Sequence, residues 1–145
     1  MKKFYKANND AVFKTIFTKE SNRDLLKRLL KDILGVDVEI ILLKLPELPK
    51  SKAINRGKVL DILVETSSGL INIEVNNYTS LWLHRRNMAF VCKTYSDYSN
   101  IGESYNDMPK IIQINLSSKL SKDMPYKSVY KLYDEKKLEN LLDQK

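Results

Sequence analysis

The chain has 145 residues, 43% of them hydrophobic and 30% charged, with 25 Lys and Arg against 18 Asp and Glu. Such a length can bury a core without staples, and such a composition excludes a disordered or fibrous chain. The lone Cys92 excludes a disulfide framework, no apolar run nears membrane-spanning length, and the net charge of +7 suits a phosphate-bearing partner or simple solubility.

The opening MKKFYKANND is basic without a following apolar stretch, so it does not read as a signal peptide, and a cytoplasmic setting is expected. Asn8, Asn9 and Asp10 can cap a short helix carrying Val12, Phe13, Ile16 and Phe17. Ser21-Asn22-Arg23-Asp24 resembles a capping box with Asp at its last position. It opens an amphipathic helix marked by Leu25, Leu26, Leu29, Leu30, Ile33 and Leu34, which Gly35 stops.

Residues 36–44 are rich in β-branched side chains and predict a strand. Residues 45–57, with Pro46, Pro49 and Gly57, predict a loop. Residues 58–65 form an apolar run broken by Asp61 and closed by the acid Glu65, and 66–69 form a turn. Residues 70–76 alternate: Ile71, Ile73 and Val75 share one face of a strand, and Asn72, Glu74 and Asn76 the other.

Ser80 can cap a long helix to about Tyr98, with Trp82, Arg85, Met88, Ala89, Cys92 and Tyr95 along one broad stripe. A loop over 102–108 leads to a buried strand at 109–116 that begins at Pro109. A last strand is expected over 126–133, then a short helix from Asp134. With few Gly and Pro and no repeats, these elements predict one domain over 1–145, an α/β sandwich with a mixed sheet.

Asp61 is costly to bury alone. A turn centred on Ser67 and Ser68 pairs positions whose numbers sum to 135, which sets Asp61 opposite Glu74 on one sheet face. Two carboxylates so placed repel unless a hard cation joins them, and Mg2+ is held by one or two carboxylates with water and phosphate oxygens. Asn76 shares their face. Equally open on the residues alone are an acid facing solvent at a sheet edge and an ion pair with Lys58 or Arg85.

Arg85 and Arg86 can hold phosphates or form a solvated face. Lys14 can contact a phosphate or pair with Asp10 one turn away. Trp82, Tyr95, Tyr98 and Tyr105 can stack on bases or pack in the fold. Gln113 reads as a buried amide or a group behind the site. Cys92 reads as a small buried hydrophobe and His84 as a residue with no nucleophile to serve.

In order and spacing, several stretches resemble the PD-(D/E)XK nuclease family transposases, also called the recombination-promoting nuclease family. They are Asn9 to Phe17, Lys58 to Val64, Gly69 to Asn76, the helix with Arg86 and Tyr95, Gly102 to Tyr105, and Pro109 to Leu116. The resemblance implies a restriction-endonuclease-like fold with helices on both faces of the sheet. It also implies DNA cleavage dependent on Mg2+ (or Mn2+), DNA as partner and an association with mobile elements. Carried over, it makes Asp61 and Glu74 the metal ligands and Asn76 the third motif position, where the superfamily places Lys and this family commonly Gln. Family members usually carry a further C-terminal region. A short or repurposed copy would bind DNA, dimerise, associate with a full-length relative or inhibit another nuclease.

Overall fold

The computed structural model describes residues 10–44, 62–76, 82–99, 102, 104–117 and 125–132. Its elements are α1 (Asp10–Phe17), α2 (Arg23–Leu34), β1 (Ile40–Lys44), β2 (Ile62–Thr66), β3 (Gly69–Asn76), α3 (Leu83–Tyr98) and β4 (Ile111–Ser117). The strands form one mixed sheet in the order β1-β2-β3-β4, antiparallel except for the parallel pair β3 and β4. A parallel pair needs a crossover, which α3 supplies.

Strand alternation sorts the side chains onto two faces. Ile62, Val64, Ile71, Ile73, Val75 and Ile114 meet Phe13 of α1 and Leu26 and Leu30 of α2. On the other face, Leu63, Leu70 and Ile111 pack on Phe90 of α3, with Val91, Tyr95 and Tyr98 around them. Helices therefore cover both faces, as the resemblance to restriction-endonuclease-like folds implied.

The antiparallel register runs from Thr66↔Gly69 to Ile62↔Ile73, so paired numbers sum to 135 as the two-residue turn requires. The Thr66 hydroxyl donates to the Gly69 carbonyl and accepts from the Ser68 amide. Gly69 has φ 136°, and the Leu70 amide beside it donates to the Lys110 carbonyl at 2.7 Å, stitching the hairpin to β4. A Cβ at Gly69 would lie 2.2 Å from that same oxygen.

Several local expectations need correction. The Ser21–Asp24 capping box does not form: a 3-10 turn over Glu20–Asn22 precedes α2, and Asn22 makes no cap bond. Its amide donates to the Ile16 carbonyl instead, tying α1 to α2. β1 is shorter than expected and begins at Ile40; within it Ile41 forms a bulge, and the Ile40 and Ile41 carbonyls accept from Arg23. The β4 ladder begins at Ile111, not at Pro109, which has no amide to donate.

Residues 126–132 form no strand. Tyr126, Val129 and Tyr130 are exposed, and the segment is held by side chains: the Tyr130 ring lies 4.5 Å from His84, and Lys127 donates to the Ile33 carbonyl in the last turn of α2. A cation there satisfies a helix-end carbonyl. The loop at 45–57, residue 133 and the helix expected from Asp134 lie outside the described residues.

Lys44, Glu65 and Tyr98 lock the far end of α3 to the sheet. The Lys44 ammonium donates to Glu65 at 2.5 Å and to the Tyr98 hydroxyl at 3.0 Å, and that hydroxyl donates to Glu65 at 2.6 Å. Lys44 and then Tyr98, as donors, hold the Glu65 carboxyl below its ordinary value. The same bonds, Glu65 first, hold the Lys44 ammonium above its own.

Two outcomes follow for stability. Gly69→Ala loses at least about 2 kcal/mol in urea unfolding, because the methyl group meets backbone oxygen and φ is positive. Glu65 has a lowered folded pKa, so its contribution is present above pH 4.5 and fades as pH falls through the folded value. Glu65→Gln therefore flattens the acid side of the melting-temperature profile while changing stability at pH 7 by less than about 1 kcal/mol, since the cluster is partly exposed.

Candidate functional site

β3 places Asn72, Glu74 and Asn76 on the face that meets α3, and parallel pairing sets Gln113, Asn115 and Ser117 of β4 beside them. The apolar packing of this face lies toward Leu70 and Ile111. Toward the C-terminal ends of β3 and β4 the same face becomes polar, and there Glu74 is 1% exposed and Asn76 2%.

A buried carboxylate needs a partner, and α3 supplies it. Arg86 donates from Nη2 to Glu74 Oε2 at 2.9 Å and from Nη1 to Asn76 Oδ1 at 3.1 Å. Asn76 in turn donates to Asn115 Oδ1 at 3.1 Å. One guanidinium thus holds two alternate residues of β3, and the third side chain fixes the second in orientation. The Arg86 ring contact with Phe90, 5.2 Å from its centroid, seats the cation at the border of the apolar packing.

Deeper on the same face, Asn72 donates to the Thr94 hydroxyl at 2.8 Å, and that hydroxyl donates to the Phe90 carbonyl. Asn72 Oδ1 and Gln113 Oε1, on paired residues of β3 and β4, are buried without a hydrogen-bond partner. Buried acceptors of this kind ordinarily take a water or an ion. Around Glu74 the donors are thus a carboxylate and amide oxygens, hard ligands of the type Mg2+ and Mn2+ take. Among the described residues no group of three or more His, Cys, Asp or Glu forms a metal cluster.

Of the residues singled out from sequence, Glu74, Asn76 and Arg86 are brought together. Asp61 and Lys58 lie outside the described residues. Arg85 is exposed and turned to Trp82, its guanidinium 4.8 Å from the ring centroid. Lys14 stands on α1, next to Phe13 in the core of the opposite face.

The expected stripe on α3 is corrected. Trp82 is 64% exposed, Met88 and Cys92 are exposed, and the buried positions are Phe90 and Thr94. A helix with apolar residues spread around it does not reveal which side docks. Asn115 escaped the sequence reading, although its place two residues after Gln113 on an alternating strand was the available signal.

A sequence model of the PD-(D/E)XK nuclease family transposases matches residues 7–144. No curated protein and no solved structure matches the chain. No helix among the described residues is long and apolar enough to cross a membrane.

The pairing sets a stability prediction. Arg86→Ala leaves a buried carboxylate without its guanidinium and costs about 3 kcal/mol in urea unfolding, the low end for a broken buried pair because Arg86 is itself a third exposed. Glu74→Gln costs less, and the double variant recovers part of the loss. Additive single effects would show that the two side chains are not coupled.

Proposed function

Because the chain belongs to the PD-(D/E)XK nuclease family transposases, we propose that it is a Mg2+-dependent DNA endonuclease, soluble in the cytoplasm, whose metal is held by Asp61 and Glu74. The observation that carries this reading is the hairpin register. In its described pairs the numbers sum to 135, the sum on which the sequence expectation of an Asp61–Glu74 pair rests. The Glu74 carboxylate and the amide oxygens on its face are hard donors of the kind Mg2+ and Mn2+ take, and Asp61 would be the second acid. The ion, when bound, polarises the scissile phosphate and lowers the pKa of the attacking water.

The protein groups have separate tasks on this reading. Arg86 gives the buried Glu74 carboxyl a cationic partner at 2.9 Å. Asn76, at the position where the superfamily places Lys, brings no charge of its own. Arg86 supplies a cation there and donates to the Asn76 amide oxygen at 3.1 Å. It acts as a positioning residue that orders Glu74 and Asn76, and its exposed edge meets backbone phosphate. Arg85, exposed on the same helix, adds phosphate contacts that carry no sequence information.

A second reading is favoured by the same contacts. Glu74 is already neutralised by Arg86, and both ends of the Asn76 amide are engaged. A site so self-contained suits a nuclease-fold protein that binds DNA, a second copy or a full-length relative without cutting.

Plasmid nicking with Mg2+ and with EDTA separates the two. Wild type nicks only with the metal, and Asp61→Ala and Glu74→Gln abolish nicking. Arg86→Ala lowers it about 10–100-fold, with partial rescue by Arg86→Lys. Identical background in every lane removes the enzyme reading. Nicking gained only with Asn76→Lys or Asn76→Gln identifies a lapsed active site.

A further inference from the structure

An open sheet has two edge strands, here β1 and β4, and each edge offers backbone groups that a further strand can use. The two edges differ. β1 carries a bulge at Ile41, and Arg23 takes the Ile40 and Ile41 carbonyls. A broken ladder with acceptors already in use is a poor template. β4 has neither protection. Ile111–Ser117 holds no charged residue, no Pro and no Gly, and its pairing with β3 is regular along its length.

One bond shows which groups face outward. The Leu70 amide donates to the Lys110 carbonyl, and Leu70 is level with Ile111. In a parallel ladder such a bond turns the backbone groups of Ile112 and Ile114 toward β3. Those of Ile111, Gln113 and Asn115 then point away from β3, and among the described residues no strand pairs with them. Residues 126–132 form no ladder there. Burial agrees: every β3 residue from Leu70 to Asn76 is buried, while in β4 only Ile111 and Ile114 are.

The side chains select the occupant. Arg86 can only donate, so the Asn76 oxygen faces it, and Asn76 Nδ2 donates to Asn115 Oδ1. That leaves Asn115 Nδ2 to donate elsewhere. Two residues earlier on the same face, Gln113 Oε1 is buried without a hydrogen-bond partner. A second β4, laid antiparallel and centred on Ile114, sets Gln113 opposite Asn115 of the other copy, and the reverse. Each such donor then stands across from an acceptor that lacks one. Both residues aim N–H and C=O outward, so their backbones bond as well. On the other face Ile112 meets Leu116, and Ile114 meets its own copy. A chain of net charge +7 repels its copies, and an uncharged strand is where two can meet.

We propose that β4 is a self-association edge, through which two copies of this chain pair antiparallel and join their sheets into one. The contact does not depend on whether the chain cuts DNA.

Sedimentation equilibrium of the full chain then shows a reversible monomer–dimer exchange, and residue-by-residue hydrogen exchange locates it. In the dimer the amides of Gln113 and Asn115 are protected, and on dilution to monomer they exchange freely. Those of Ile112 and Ile114, bonded to β3, stay slow in both. Gln113→Pro removes an amide that β3 does not use, so each copy keeps its own ladder and loses one bond to the other. The dimer dissociation constant rises at least roughly 10-fold. Gln113→Lys, which leaves the backbone intact and puts a cation on the edge, weakens the dimer too. Circular dichroism of each variant confirms its fold. A chain still monomeric at about 1 mM, or a dimer in which those two amides exchange freely, overturns the proposal. So does protection of both amides that persists on dilution, since the chain itself would then cover the edge.

Discussion

A carboxylate that is 1% exposed on a central strand constrains everything around it. Glu74 stays in the fold because α3 delivers a guanidinium to it at 2.9 Å, and α3 can do so only in one docking. Its Phe90 must sit against Leu63, Leu70 and Ile111 while Arg86, one turn earlier, reaches the polar ends of β3 and β4. Sliding the helix by one turn would put the cation among apolar side chains and leave the acid alone. Each of those changes costs several kcal/mol. The ion pair therefore acts as a register pin for the β3–α3–β4 crossover, and the Lys44–Glu65–Tyr98 cluster pins the same helix at its other end.

The hairpin is the second half of that constraint. A two-residue turn leaves one register, and a slip by one residue would send Glu74 and Asn76 to the side packed by α1 and α2. Gly69 secures the turn: its positive φ and the absence of a side chain let β4 approach until the Leu70 amide meets the Lys110 carbonyl. Turn chemistry thus decides which face is polar, and α3 then neutralises what the turn has placed there.

The parts of the fold that sequence revealed are those in which a local pattern has one solution. Alternation along residues 70–76 separated Ile71, Ile73 and Val75 from Asn72, Glu74 and Asn76, and the Ser67–Ser68 turn gave the numerical register. Gly35, with φ 77°, ended α2 as expected. The failures lie where partners are distant. Whether Arg85 or Arg86 turns inward depends on a helix phase that the scattered apolar residues of α3 leave open. The capping signal at Ser21 lost to a longer-range bond from Asn22 to the Ile16 carbonyl. Tyr126, Val129 and Tyr130 satisfy a strand's composition, but composition cannot supply a neighbour to pair with. In the candidate site Glu74 and Asn76 were legible; that a helix cation would hold both was not.

Charge balance shows what that cation implies for the proposed metal. Glu74 and Arg86 together are neutral, so Asp61 would add the only net charge available to a divalent ion from these three groups. An ion held by so little charge binds weakly on its own and more firmly once a phosphate supplies further anionic oxygens, the mode in which Mg2+ commonly bridges protein and substrate. On the proposed reading, nucleic acid is then part of the metal site rather than a ligand delivered to a finished one, and a guanidinium on a helix gives an uncharged third motif position a way to remain useful.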